Sequence, residues 1–197
     1  MPGIIHVADT FAAFLDDLQT RRAPALYQLS KLRNGFEGWL KIELYLWLTE
    51  RYQLQPQTDV GVEYKVWLDQ RRGQMDRETK QCDLWVRDAA GHGYHYIELK
   101  VPFANNNRGK LFLSASDDFW YMSRLLAVDQ SAASGSAILV GAGFDEHDWT
   151  RAIDDAVAYA GNDPAMVQLR VGSLKLEEAP TLQWAVMTKR YAPRPGA

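Results

Sequence analysis

The chain has little cysteine, no long apolar run and no large excess of charge of either sign. A single cysteine among 197 residues excludes an intrachain disulfide, which is typical of proteins from a reducing compartment. The first stretch, MPGIIHVADTF, lacks both the basic and the apolar region of a secretory signal. We therefore expect a cytoplasmic protein.

The most apolar stretch, near residues 36–48, is broken by Glu37, Lys41 and Glu43 and is too short to cross a bilayer. No membrane partner is expected from this pattern. The net charge of −3 excludes the global basic field that drives non-specific binding to nucleic acid. Any nucleic-acid site must therefore be a local basic patch.

What is present is an ordinary globular composition, with 47% hydrophobic and 24% charged residues. The periodicity predicts helices, then three strands, a helix, a strand, a helix and late strands. This order indicates a single α/β domain over residues 1–197, with a mixed central β-sheet flanked by helices. We divide it into an N-terminal helical extension (1–34), a core (about 36–144), and a C-terminal helix and strands (145–191).

The stretch CDLWVRDAAGHGYHYIELKV, residues 82–101, predicts two strands joined by a glycine-bearing turn. If the turn places Asp88 opposite Gly93, Asp83 lies directly opposite Glu98. Directly opposite side chains share a face of the sheet, and Lys100 lies on that face by alternation. The pattern therefore predicts that two acids and a lysine converge.

Two facing carboxylates repel each other unless something compensates, and two explanations stay open. One is a surface salt bridge, in which Lys100 neutralises the acids. The other is a divalent metal, because carboxylate oxygens are preferred ligands of Mg²⁺ and Mn²⁺. The apolar run YIELKV favours a covered site, and so favours the metal.

Asp83, followed by a turn and the triplet Glu98-Leu99-Lys100, resembles the signature of the PD-(D/E)XK nuclease superfamily. The order of the elements over roughly residues 36–144 is also similar. Cys82 stands where the family often has proline. The resemblance implies a restriction-endonuclease-like core and a metal-dependent hydrolase that acts on DNA.

The same resemblance implies a role for each residue of the motif. Asp83 and Glu98 would hold Mg²⁺ or Mn²⁺, with the Leu99 carbonyl as a further ligand. The metal would activate a water molecule, and Lys100 would orient or deprotonate that water and stabilise the developing charge. The product is a hydrolysed phosphodiester bond.

The resemblance also implies a further carboxylate from the helix before the first strand. Glu43 is the one charge on the predicted apolar face of residues 36, 39, 40, 43, 46 and 47, and an unpaired acid on such a face needs a partner or a metal. We therefore expect Glu43 to be the third acid and metal ligand. Glu37, earlier in the helix, stays an alternative.

Two basic segments could bind backbone phosphates, which fix the position of a nucleic acid. Arg71, Arg72, Arg77 and Lys80 lie in a polar segment before the motif, and Arg108 and Lys110 follow it. A different class of function also stays open, namely a catalytically silent nuclease-like domain that binds nucleic acid or protein. The sequence leaves open whether the chain acts as a homodimer.

Overall fold

The computed structural model describes residues 2–32, 36–72, 76–102, 108–126, 131–160, 167–176 and 181–191, without the side chains of Arg72, Arg108 and Leu111. The described helices are α1 (Val7–Ser30), α2 (Glu37–Tyr52), α3 (Arg108–Met122) and α4 (Glu146–Tyr159). The strands are β1 (Val60–Trp67), β2 (Thr79–Arg87), β3 (Tyr94–Lys100), β4 (Ala132–Ala142), β5 (Val167–Leu174) and β6 (Leu182–Arg190). Their order along the chain is the predicted one.

The six strands form one mixed sheet in the order β1-β2-β3-β4-β6-β5. Strands β3 and β4 are parallel and are joined through α3, whereas every other neighbouring pair is antiparallel. Strand β4 is buried along its whole length because helices cover both of its faces. The predicted α/β class with a mixed central sheet is therefore confirmed.

Helices α1 and α2 cover one face of the sheet and share its largest apolar core. Phe11, Phe14 and Leu18 of α1 and Leu40 of α2 are almost fully buried there, together with residues such as Leu99 of β3. The predicted N-terminal extension is therefore an integral layer of the domain. A kink at Arg22, two residues before Pro24, bends α1 where proline disfavours the preceding helical turn.

Helices α3 and α4 cover the opposite face. Phe119 of α3 and Trp149 and Ile153 of α4 pack on alternate residues of β4 and β6. Asp145 caps α4 by accepting hydrogen bonds from the backbone N–H groups of His147 and Asp148. No described helix combines the length and the apolar character needed to span a membrane.

Two element boundaries differ from those the sequence indicates. Helix α3 begins at Arg108, whereas the apolar pattern predicts a helix only from about Asp117. Strand β4 begins at Ala132, within a run of small residues that predicts a linker. The small residues serve close packing, because a Cβ atom on Gly135 would lie 1.9 Å from the Met122 carbonyl oxygen.

Candidate active site

The hairpin of β2 and β3 has the predicted register. Leu84 pairs with Ile97 and Arg87 with Tyr94, and the Asp88 N–H donates to the Gly93 carbonyl over 2.8 Å. Gly93 has a φ of +110°, which a residue with a side chain rarely adopts. The turn therefore sets the alignment of the strands that carry Asp83 and Glu98.

The ladder between β2 and β3 stops at Asp83. The Asp83 carboxylate accepts a hydrogen bond from the Leu99 N–H, with Oδ2 2.9 Å from the nitrogen. On the other side, Glu63 of β1 has a φ of +55° and falls between the ladder pairs on either side of it. Strand β2 changes face here, since Leu84 packs towards α1 and α2 whereas Cys82 packs in the α3-side core.

Asp83 therefore lies in a gap between β2 and β3, instead of on the same face as Glu98. The prediction that simple alternation brings the two acids together is wrong in this detail, because the irregularity at Asp83 interrupts it. The Leu99 carbonyl points into the same gap, because the N–H and C=O of one strand residue point to the same side. Asp83 and the Leu99 main chain are thus neighbours, as the motif implies.

Glu98 lies on the α3 side, with its side chain 7% exposed. Its Oε1 atom is 3.1 Å from Lys80 Nζ and 3.6 Å from Lys100 Nζ, whereas Oε2 is buried without a hydrogen-bond partner among the described residues. Burial and the nearby charges of Asp118 and Asp83 raise the pKa of Glu98 to about 7, against the two lysines. Keeping Glu98 ionised in the folded protein therefore costs free energy.

Lys100 joins the two sides of the sheet at this end of β3. Its Nζ atom is 3.6 Å from Glu37 Oε1 of α2 and 3.3 Å from Asp118 Oδ2 of α3. Burial by itself would lower the pKa of Lys100, but the charges of Asp118, Glu37, Glu98 and Asp83 together raise it well above its usual value. The surrounding acids therefore favour the charged ammonium form of Lys100.

The helix acid at this cluster is Glu37, so the preference for Glu43 is wrong. Glu43 instead lies 3.6 Å from Arg22 of α1. The buried stripe of α2 consists of Leu40, Leu44, Trp47 and Leu48, so it is rotated from the predicted face and leaves Glu43 at its edge. Burial, with a contribution from Asp83, raises the pKa of Glu37 despite the neighbouring Lys100.

Three residues of the cluster were not predicted as part of it: Lys41, Lys80 and Asp118. Lys41 follows Glu37 by one helical turn and bridges Glu63 and Asp83 Oδ1, the latter over 3.1 Å. Asp118 lies at helical spacing from the buried Ala115, Phe119 and Met122. An acid that interrupts an apolar helix face in this way is the signal that the sequence offers for Asp118. That signal becomes visible only when α3 is known to begin before Asp117.

The predicted phosphate-binding residues whose side chains are described have different surroundings. Lys80 is a residue of β2 and is buried against Glu98 and Asp118, so its assignment to a phosphate-binding loop is wrong. Arg71 is exposed and forms a bidentate pair with Asp69. Arg77 is half exposed and stacks on Tyr121 at 4.6 Å. Lys110 is exposed on α3, and the side chains of Arg72 and Arg108 lie outside the described part.

The donor set suits a hard divalent cation in its chemistry. Mg²⁺ needs only one or two protein carboxylates and completes its shell with water. Glu98 offers a buried oxygen with no hydrogen-bond partner, while both Asp83 oxygens have partners in Lys41 and the Leu99 N–H. No three His, Cys, Asp or Glu residues of the described stretches form a ready-made metal cage. A bound metal would thus replace contacts that lysines now make with the Asp83 and Glu98 carboxylates.

No protein-family model, curated protein or solved structure matches this chain. The cluster itself combines acids from α2, β2 and β3 with the half-buried Lys100 at one end of the sheet.

Proposed function

We propose that this chain is a metal-dependent nuclease of the PD-(D/E)XK type that hydrolyses phosphodiester bonds, with DNA as the first substrate to test. The observation that carries the proposal is the meeting of Asp83, Glu98, Lys100 and Glu37 at one end of the sheet. One buried oxygen of Glu98 has no hydrogen-bond partner among the described residues, and such a group calls for an explanation that a bound cation would supply.

The order α2-β1-β2-β3-α3-β4 supports a restriction-endonuclease-like core. The hairpin carries the motif acids, and the helix before it supplies an acid to the lysine of the motif. The contact between Glu37 of α2 and Lys100 strengthens this support, because the acid comes from the helix before the first strand. Fold-level likeness alone would not establish catalysis, so the site has to carry the proposal.

Each residue has a role that follows from its position. Asp83, Glu98 and the Leu99 carbonyl would hold the cation, which supplies Lewis acidity and lowers the pKa of a bound water. Lys100 holds a positive charge beside the position of the scissile phosphate, where negative charge develops during attack. Glu37 fixes the Lys100 ammonium from the α2 side.

A second candidate function is a catalytically silent nuclease-like domain that binds nucleic acid or protein. The observation that favours it is the pairing of Asp83 with Lys41 and of Glu98 with Lys80. Such pairs satisfy carboxylates without a metal. In that case Arg71, Arg77 and Lys110 would carry nucleic-acid binding, because they are exposed cations among the residues predicted to bind phosphate.

The test is a cleavage assay on plasmid DNA and on single-stranded and duplex DNA and RNA oligonucleotides, with Mg²⁺ or Mn²⁺. We expect cleavage by the parent protein and a loss of about 100-fold or more for Asp83→Asn, Glu98→Gln and Lys100→Met. Glu43→Gln is the matched control, because this acid pairs with Arg22 away from the cluster.

The two functions give different results in this assay. A parent protein that binds oligonucleotides in EDTA and cleaves none of them with either metal would support the silent domain. Cleavage that persists in Glu98→Gln at the parent rate would contradict the nuclease proposal, since a contaminating enzyme would then be its source.

A further inference from the structure

The α3 side of the cluster contains two residues that the motif does not include, Lys80 and Asp118. Lys80 Nζ lies 2.6 Å from Asp118 Oδ1 and 3.1 Å from Glu98 Oε1. The side chains of Lys80 and Asp118 are each 10% exposed, so their charges are held largely away from water. An ion pair this deep is costly unless both partners are well matched.

Asp118 contacts two ammonium groups of the cluster, one with each carboxylate oxygen. Oδ1 accepts from Lys80, and Oδ2 lies 3.3 Å from Lys100 Nζ. The same two ammonium groups approach Glu98 at Oε1. Lys80, Glu98, Lys100 and Asp118 thus form a closed ring in which two positive and two negative groups alternate.

The ring distinguishes the two oxygens of Glu98. Both lysines lie at Oε1, while Oε2 has no hydrogen-bond partner in the described part of the chain. Without Asp118, Glu98 would be the one acid among the described residues within ion-pair distance of Lys80, and the buried ammonium could then occupy both Glu98 oxygens. By binding Lys80, Asp118 therefore keeps the lysines from occupying both carboxylate oxygens of Glu98.

We infer that Asp118 is a positioning residue that engages Lys80 and Lys100 from α3 and thereby keeps Glu98 Oε2 available to a divalent cation. This inference rests on the proposed function. It connects Asp118 to the metal site through the contacts of Asp118 with Lys80 and Lys100. Groups that orient metal ligands commonly affect metal affinity without touching the metal.

The test measures Mn²⁺ binding by calorimetry in Asp118→Asn, Lys80→Met and the double variant. We expect Asp118→Asn to weaken Mn²⁺ binding about tenfold or more, because Lys80 is left to compete for Glu98. Lys80→Met in the Asp118→Asn background should recover binding to within about threefold of the parent, because the competing charge is gone. Asp117→Asn is the matched control, since this neighbouring acid contacts Tyr159 at the surface.

Recovery of Mn²⁺ binding in the double variant distinguishes a positioning role from a merely structural one. If the roles were structural, the losses caused by the two substitutions would add. Thermal melts of the metal-free variants provide a second readout: if Asp118→Asn fails to fold, the neutral double variant should still fold. Unchanged Mn²⁺ binding in Asp118→Asn, a double variant no better than the single one, or failure of both to fold would overturn the inference. A parent that binds no Mn²⁺ would instead overturn the proposed function itself.

Discussion

At the scale of single residues, Glu98 is the clearest example of a carboxylate whose negative charge is destabilised by burial. A bound metal would stabilise that charge. The Glu98 carboxylate is buried, lies near Asp118 and Asp83, and has an oxygen without a hydrogen-bond partner in the described stretches. Asp83, in contrast, has a partner for each oxygen, Lys41 for one and the Leu99 N–H for the other. The two acids of the motif should therefore respond differently to neutralisation.

We predict that Glu98→Gln removes a pH dependence of stability from the metal-free protein. The pKa of Glu98 is raised from 4.5 to about 7 in the folded state. Between these values the folded state binds more protons than the unfolded state, so stability falls as the pH rises, by about 3 kcal/mol at most. Urea unfolding at about pH 5 and about pH 8 should show this fall in the parent and a smaller one in Glu98→Gln.

His95 acts in the opposite direction and serves as an internal reference. It is buried, and burial lowers its pKa, so its protonation at low pH destabilises the folded state. Because His95 is present in both proteins, the difference between parent and Glu98→Gln isolates Glu98. Equal pH dependence in the two proteins would contradict the raised pKa.

A second prediction at this scale concerns the two helix acids. Glu37→Gln removes the contact that holds Lys100 from α2, so we expect metal-dependent cleavage to fall about tenfold to 100-fold. Glu43→Gln breaks a pair with a half-exposed Arg22 and should leave cleavage nearly unchanged. Rates measured at saturating Mn²⁺ decide between them, and the reverse ranking would restore Glu43 as the third acid.

At the scale of elements, the hairpin turn aligns β2 with β3 and so delivers Asp83 and Glu98 to one end of the sheet. Gly93 makes this turn possible in two ways: its φ is positive, and an added Cβ atom would lie 1.6 Å from the Ser131 carbonyl oxygen. The irregularity at Glu63 and Asp83 then opens the gap beside Leu99. Regular pairing would have consumed the Leu99 N–H in the ladder.

We predict that Gly93→Ala destabilises the protein by about 2–4 kcal/mol, because the turn must shift to admit the methyl group. The matched control is Gly109→Ala, which meets no atom within 4 Å in α3 and should be neutral or slightly stabilising. Chemical denaturation of both variants provides the measurement. A Gly93→Ala protein as stable as the parent would show that the turn is not tightly constrained.

At the scale of the whole molecule, the cluster lies where both helical layers reach the same end of the sheet. Glu37 and Lys41 come from α2, and Asp118 comes from α3 on the opposite face. The net charge of −3 leaves the molecule without a strong attraction for nucleic acid over its surface as a whole. A bound cation would therefore supply positive charge that the chain itself lacks.

We predict that Mn²⁺ stabilises the folded protein through this cluster. At a free concentration about 100 times its Kd, a ligand specific for the folded state adds about 2.7 kcal/mol. For a domain of this size that corresponds to a rise in Tm of roughly 5–10 °C. Thermal melts should show the rise in the parent and its loss in Asp83→Asn, with Glu43→Gln responding like the parent. The same rise in Asp83→Asn would remove Asp83 from the metal site.

Much of the fold could be predicted from the sequence because its signals are local. The alternation around the turn at residues 88–93 sets the β2–β3 register, and Asp145 is followed directly by the helix it caps. Helix α3 was less predictable, because its first turns contain few buried residues, and the small residues of early β4 resemble a linker. Close approach of α3 to β4, which the sequence does not reveal, explains why those residues are small.

By itself, the sequence determined the order of the elements, the hairpin register, and the closeness of Glu98 and Lys100 on β3. These features depend on contacts between residues close in the chain. Only the tertiary structure decided that Glu37 rather than Glu43 meets Lys100, because the rotation of α2 depends on what α1 and the sheet bury beneath it. It also brought Asp118 to the cluster, because packing of α3 on β3 and β4 joins residues that local patterns cannot relate.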